Sequence, residues 1–524
     1  LTIGGLPAIA TLKAVSDAFD QRGIDALKLQ QPPYNLLGRK IAIGQLEVGR
    51  PGKFGQDKAV SKAPLLPVTQ VFYRSRPPRL NLNVDNHAQG VAGVMISLGK
   101  ALPGIAPQAR LYSSAAGITR RNGQAEGCAA AQHLALQNGG DLRAINVSFG
   151  ESLRDDSRAA EAVLDGNALL TQCIDWSARV HDVLYLIAGN QGKGGVPIPS
   201  DHYNAMTIAS STRIKGVFTK VDFANLSDPD AAFTKRLVGR ETNVGTRRSV
   251  SLVAPGSRVF VWTLEGKLTQ TSGTSFAAPQ VTATVALLQE LGDRQLRQKQ
   301  PRWRVDARRH LVMKAVLMNA ADKLQDSGNG LTLDMSRTLL NKQNRTWLAS
   351  EARRNPDIPL DAQMGAGHLN AYRAYLQFSP GQYAPDQPVA AIAWDYRTVD
   401  QPGTYRDYVL AKPLQQGSSV AITLAWDRRV ELDDANRNGQ YDAGETFRDR
   451  GLNNLDLYLM RADDQDSATS VWSSNSSVDS VEHIFQTIPQ TGRYKIRVQF
   501  RQRQFAGNEV NQPYGLAWWM VPAR

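Results

Sequence analysis

The sequence predicts an α/β fold, a mainly parallel sheet flanked by helices, followed by an all-β sandwich. Three observations predict it. Between residue 38 and about residue 260, short apolar runs alternate with helical patterns. Two more long helical patterns follow. Beyond residue 378 a Pro-rich stretch gives way to strands and turns. Strands alternating with helices argue for βαβ units and a parallel sheet.

The elements justify this in order. "IAIGQL" reads as a short buried strand and is followed by the helical pattern "HAQGVAGVMISLGKAL". "ARLYSSAA" precedes "GCAAAQHLALQNG". "RAINVSFG" precedes "AAEAVLDGNALLTQCIDWSARV", read as one helical segment, and "VLYLIAGN" and "AMTIAS" close the series. A parallel sheet places functional groups at the carboxyl ends of its strands. Glu47 and Asn190 both fall there. In "SFAAPQVTATVALLQEL", Val281, Val285 and Leu288 share one helical face, and "RHLVMKAVLMNAADKL" follows. "SPGQYAPDQPV" reads as a linker. Beyond it come "SVAITLAW", "LDLYLMRA", "SVWSSNS", "GRYKIRVQF" and "YGLAWWM". The alternation Tyr494, Ile496, Val498, Phe500 suits a half-buried antiparallel strand.

The 524 residues are too many for one compact core, and two domains are the natural expectation. The hydrophobic fraction of 42% supplies a sizeable core and argues against wholesale disorder. No run approaches the roughly 18 apolar residues of a membrane span. The first twenty residues do not read as a signal peptide as they stand, although a processed precursor would also begin without one. The formal net charge is +13, but the basic residues are scattered in short pairs such as Arg247-Arg248. We read that charge as a solvated surface; a nucleic-acid binder is the weakest reading. The two cysteines, Cys128 and Cys173, lie in helical patterns. One disulfide or two buried thiols fit equally.

The most informative stretch is "TQTSGTSFAAPQVTATVALL", residues 269–288. A Gly-Thr-Ser run opens a helix, and Pro279 falls in the first turn, where a missing N–H costs little. Ser275 there is either a plain helix cap or a hydroxyl held near unpaired N–H groups.

"GTSFAAPQV" resembles the signature around the nucleophile of subtilisin-like serine proteases. Further landmarks follow in the family's order. "DNHAQGVAGVM" is similar to its histidine motif, "AINVSFG" to the strand that pairs with substrate, and "LIAGNQG" to the strand end carrying the oxyanion-hole asparagine. "LVAPGSRV" is similar to the turn upstream of the nucleophile, and "MGAGHLNAYRA" to the closing segment. The resemblance covers roughly residues 24–378, and several ordered motifs are far more specific than one.

The resemblance implies a serine endopeptidase. Ser275 would be the nucleophile, His87 the base, and Glu47 the acid that fixes the imidazole. Asn190 would donate to the oxyanion. The family's acid is the aspartate of an Asp-Ser-Gly or Asp-Thr-Gly turn, and here the turn reads Glu47-Val48-Gly49. A second departure is Ala88-Gln89-Gly90, where Gly-Thr-His is usual. Asp85 is the rival acid. The alternative function is a subtilase scaffold without turnover that captures peptides or a partner protein. Ser148, Phe149 and Gly150 would add substrate backbone as a strand. Gly189 would help wall the specificity pocket. Ordinary core packing is the plain alternative for Phe149.

"DANRNGQYDAGE", residues 434–445, fits the loop pattern D-x-[DN]-x-[DN]-G-x5-E. Asp434, Asn436, Asn438, Gln440 through its carbonyl, Asp442 and Glu445 would supply oxygens to calcium. No helical pattern clearly flanks the loop, so we expect it between strands in a structural role. The plain alternative is an Asn/Gly-rich surface turn. The expected organisation is an N-terminal extension (1–23), a catalytic domain (24–378), a linker (379–384) and a β-sandwich or jelly-roll domain (385–524). Expected partners are polypeptide substrates, with no nucleic acid and no membrane span. A propeptide removed on maturation is left open. We expect a monomer, secreted or periplasmic by family habit.

Overall fold

A nine-stranded sheet carries the first two-thirds of the chain. The computed structural model describes residues 17–60, 65–117, 123–151, 156–158, 163–189, 198–222, 245–504 and 511–523. The sheet's strands are β1 (Ala42–Glu47), β2 (Val68–Tyr73), β3 (Arg110–Ala115), β4 (Leu142–Val147), β5 (Leu184–Ala188), β6 (Met206–Ile214), β7 (Val217–Val221), β8 (Val250–Pro255) and β11 (Leu339–Leu340). Their order is β11-β7-β6-β5-β4-β1-β3-β2, with β8 also paired to β6. Only the β6–β7 pairing is antiparallel; β1 lies parallel between β3 and β4. All six residues of β1 are buried, which explains its nearly continuous apolar run.

The helices that matter for the site are α1 (Asn86–Ile96), α2 (Gly123–Ala135), α3 (Leu169–His181), α4 (Ala278–Arg297), α5 (His310–Asn319) and α6 (Ala371–Phe378). Helix α3 corrects the sequence reading. It starts at Leu169, so Asp165-Gly166-Asn167 is not helical. Asp165 accepts the Asn167 N–H at 2.9 Å, and Gly166 sits at φ +85°. That turn competes locally with the helix. Cys128 of α2 and Cys173 of α3 form a disulfide, which decides between the two readings of the pair.

Between β8 and α4 runs a two-stranded hairpin, β9 (Val259–Trp262) with β10 (Leu268–Thr271). The C-terminal part is a sandwich of two four-stranded antiparallel sheets. One sheet holds β12 (Ile392–Val399), β21 (Gln512–Met520), β14 (Ser419–Trp426) and β19 (Val481–Thr487). The other holds β13 (Tyr405–Val409), β20 (Tyr494–Gln502), β17 (Asn454–Arg461) and β18 (Trp472–Ser474). Leu455, Leu457 and Leu459 alternate into its core with Tyr494, Ile496 and Val498. Helix α5 joins the two parts, its residues sharing one apolar core with Trp394, Ala425 and Ala517. A separate hairpin, β15 (Arg429–Asp433) with β16 (Thr446–Gly451), carries the 434–445 loop.

Candidate active site

Glu47 is the last residue of β1, and its side chain is 1% exposed. The strand end is held by the Ala116 N–H, which donates to the Glu47 carbonyl at 2.7 Å. Beyond it the chain is fastened by Arg50, a fully buried guanidinium. Arg50 pairs bidentately with Asp57 at 2.6 and 2.8 Å, and its Nε donates to the Leu82 carbonyl at 2.9 Å. Burial alone would raise the Asp57 carboxyl. Arg50 and the Lys53 and Asn81 N–H groups outweigh it and hold the group below its ordinary range. Main-chain bonds between Arg50 and Asn83 and between Asp85 and Arg50 tie this segment to the run before His87.

His87 is the second residue of α1. Asp85 is the N-cap, accepting the Ala88 N–H at 2.8 Å. Its other oxygen lies 1.5 Å from where a Cβ on Gly49 would stand, so only glycine fits there. Gln45 of β1 donates from Nε2 to the Ala88 carbonyl at 2.9 Å, hanging the first turn of α1 from the strand. These contacts bring His87 Nδ1 to 3.2 Å from Glu47 Oε2. Asp85 thus caps the helix, and the 3.2 Å contact to the imidazole is made by Glu47. The helix-start pattern Asp-x-x before an apolar run carried that signal in the sequence. Nothing in the sequence pointed to Arg50 or Gln45.

Burial pushes the Glu47 carboxyl up, and the His87 imidazole pulls it back down. The Glu47 charge raises His87 from 6.5 to about 9, against the lowering effect of its own burial. The carboxylate favours the imidazolium, the form that appears when a base takes a proton.

Ser275 sits in a short 3-10 turn, Thr274–Phe276, ahead of α4. Its hydroxyl points to the Ser148 carbonyl at 3.5 Å, a long contact, and it caps no helix N–H. The turn is anchored from both sides. The Ser148 hydroxyl donates to the Ser275 carbonyl at 3.2 Å and receives the Asn146 amide at 2.9 Å. Gly273 N–H donates to the Gly256 carbonyl at 2.8 Å, and a Cβ on Gly256 would stand 2.7 Å from the Gly273 carbonyl. The ring of Phe276 meets the His87 ring edge-on at 5.4 Å. Acid, imidazole and the serine turn thus meet at one end of the sheet.

The other candidates distribute as follows. Ser148 is buried, while Phe149 and Gly150 are half-buried directly after β4. Phe149 packs its ring toward Gly127 of α2, as core packing requires, which leaves its backbone for any substrate contact. Gly189 donates its N–H to Ile208 at the end of β5. Asn190 lies outside the described residues.

The 434–445 loop joins β15 to β16, between strands as expected. Asp434 accepts the N–H groups of Asn438 and Gly439 at 3.2 and 2.7 Å. Glu445 accepts those of Ala435 and Asp442, both at 2.9 Å. The amides of Asn436 and Asn438 both meet Asp442 Oδ2 at 2.7 Å. All six candidate residues are therefore drawn into one bonded cluster, five through their side chains and Gln440 through its N–H to Asn438. An amide that turns its carbonyl inward offers oxygen in place of NH2. Among the described residues no three His, Cys, Asp or Glu side chains form a group that could hold a metal ion. Tyr441 in the loop exchanges two bonds with the Gln132 side chain of α2, at 2.6 and 2.8 Å.

The strand ends of a parallel sheet thus bring Glu47 to His87, with the turn that carries Ser275 packed beside the His87 ring through Phe276. The chain belongs to the subtilase family: the model of that family matches residues 68–335, half of the chain. That span contains His87 and Ser275, and Glu47 precedes it. The protein is a subtilisin-like serine endopeptidase acting on polypeptides. No curated protein matches the chain. A solved structure described as the prenylagaramide maturation protease PagA aligns at 19% identity and TM-score 0.40, over 70% of this chain and 97% of that chain. At that level it carries no argument. Among the described residues no helix is long and apolar enough to cross a membrane.

Proposed function

We propose that peptide hydrolysis runs through Ser275, His87 and Glu47, with Asn190 donating to the oxyanion. The observation that carries this reading is the 3.2 Å contact between His87 Nδ1 and the buried Glu47 carboxylate. That contact commits Nδ1 to the acid and leaves Nε2 to act as base. Ser275 Oγ attacks the peptide carbonyl carbon as its proton passes to Nε2. The negative charge moves to the carbonyl oxygen. On collapse the C–N bond breaks, and Nε2 returns the proton to the departing amine. Water then enters by the same route and releases the acyl group from Ser275. Glu47 stays ionised throughout and steadies the imidazolium. The backbone of residues 148–150 would hold the acyl half of the substrate as an added strand.

The sequence pattern of the accessory loop supports calcium: Asp434, Asn436, Asn438, Gln440, Asp442 and Glu445 would hold it, and the ion would supply structural cross-linking. The Cys128–Cys173 disulfide supports a secreted or periplasmic setting, where such bonds persist. The test is labelling with a fluorophosphonate probe. We expect the probe on Ser275, and Ser275→Ala to lose both labelling and casein cleavage. A protein that binds peptides yet takes no label would instead be a scaffold without turnover.

A further inference from the structure

We propose that a cavity at the seam between the catalytic part and the sandwich binds a small oxyanion of the sulfate class. The cavity holds about 190 Å³, too little for a drug-sized ligand and enough for a tetrahedral ion with bridging water. Both parts of the chain build it. Arg179 and Asp182 come from the end of α3, and Arg309 and His310 from the start of α5. Asp427 and Arg429 come from the connection between β14 and β15 and from β15 itself. None of Glu47, His87 and Ser275 lines it, so it is a site apart from the proposed triad.

The charges favour an anion. Arg179, Arg309, Arg429 and His310 face the cavity against two carboxylates. Burial pulls His310 down, but Asp427 and Asp182 outweigh it and hold it up near 10, so the ring is a cation at neutral pH. Both carboxylates are engaged. Asp182 gives one oxygen to His310 Nδ1 at 2.7 Å and the other to Arg309 at 3.0 Å. Asp427 meets His310 Nε2 at 3.1 Å. The two acids are thereby offset, and Arg179 and Arg429 leave the lining positive. Arg179 donates from Nη2 to the Val430 carbonyl at 2.9 Å, which fixes the guanidinium without neutralising it. Arg429 is held at 2.9 Å by Glu431, an acid outside the lining that offsets part of its charge. A metal cation in the same space would meet four like charges.

Two further observations point the same way. Leu311 also lines the cavity, so the positive end of the ten-residue helix α5 opens on it. The Arg309 Nε is buried and meets no acceptor among the described residues. A buried donor left unpaired is costly, and an anion beside Arg309 supplies the missing acceptor.

This site goes beyond the protease reading and does not depend on it. The test melts the full chain in about 20 mM sodium sulfate and in sodium chloride of equal ionic strength. With a dissociation constant near 1 mM, binding should raise the wild-type Tm by about 1–2 °C beyond the general effect of sulfate. That general effect, exclusion from the protein surface, acts alike on every variant. Arg309→Gln and Arg429→Gln should each weaken binding about tenfold and lose most of the specific rise. Each variant is read against its own melt in chloride, so an overall loss of stability does not enter. Arg309→Gln also breaks the pair with Asp182; if it does not fold, Arg429→Gln decides alone. Isothermal titration of sulfate into the wild type should give one site per chain. A wild type that melts alike in both salts overturns the site, and so does a sulfate shift that persists in full in any folded variant.

Discussion

Replacing Glu47 by glutamine keeps shape and removes charge, so it isolates what that carboxylate does to His87. At 3.2 Å two unit charges attract by about 1.3 kcal/mol in water and by about 5 kcal/mol at an effective dielectric near 20. At 1.36 kcal/mol per pKa unit, the carboxylate raises the imidazole by roughly one to four. The His87 side chain is 45% exposed, so solvent screens the upper end of that range. The rise from 6.5 to about 9 falls in its middle. The imidazole accepts a proton only when neutral. Activity is therefore lost below the His87 pKa and gained above it. We expect the kcat/KM profile of the wild type to climb with a midpoint between about 7 and about 9. In Glu47→Gln the midpoint should drop toward about 6.5, because burial then opposes only the weaker Asp85 charge. The plateau should fall by about 10³ to 10⁴, since nothing selects the tautomer. Asp85→Asn, which retains a good cap, should move the midpoint less and spare most of the plateau. The assay is steady-state hydrolysis of one peptide from pH 5 to pH 10.5. Identical midpoints in wild type and Glu47→Gln, or a larger loss in Asp85→Asn, would refute the assignment.

Three further outcomes are expected. A chelator should lower the Tm by roughly 2–5 °C, and Glu445→Gln should weaken calcium affinity in isothermal titration; a melting curve indifferent to both removes the metal. Opening the Cys128–Cys173 bridge, which spans 45 residues, should cost roughly 4 kcal/mol in denaturant titration under the chain-entropy estimate. Burial pulls His310 down, but Asp427 and Asp182, at 3.1 and 2.7 Å, hold it up near 10. The stability it lends is full below about 6.5 and disappears as pH rises through about 10. His310→Gln should cost roughly 3–5 kcal/mol at pH 6 and less at pH 10.5.

Strands β1 and β3 to β6 were legible because each is a bounded apolar run, and the sandwich strands because leucines and aromatics recur at period two. Glu47, His87 and Ser275 were singled out because short motifs carry them, and the structure brings Glu47 to His87. What stayed hidden was tertiary. The acceptors of Arg50 include Asp57 and two carbonyls some thirty residues on, and no spacing rule links them. The disulfide needed α2 and α3 side by side. The helix read across residues 159–180 is interrupted where Asp165-Gly166-Asn167 closes its own turn. The cavity at the seam draws its walls from several separate segments, none of which signals a site when read alone.

The glutamate is intelligible from how its two supports are built. The end of β1 is fixed by sheet bonds, and α1 hangs from the same strand through Gln45, so the gap between acid and imidazole is set by backbone. Asp85 presses its carboxylate against Gly49 and spends its other oxygen on the Ala88 N–H, so it cannot turn to the ring without uncapping the helix. Only a side chain growing from residue 47 remains to bridge that gap. Glutamate reaches to 3.2 Å. A carboxylate one methylene shorter would stand back by about 1.5 Å, the length of one C–C bond, beyond direct hydrogen-bond range on an unmoved backbone. In the proposed triad the strand end therefore fixes the reach that an acid at residue 47 must have.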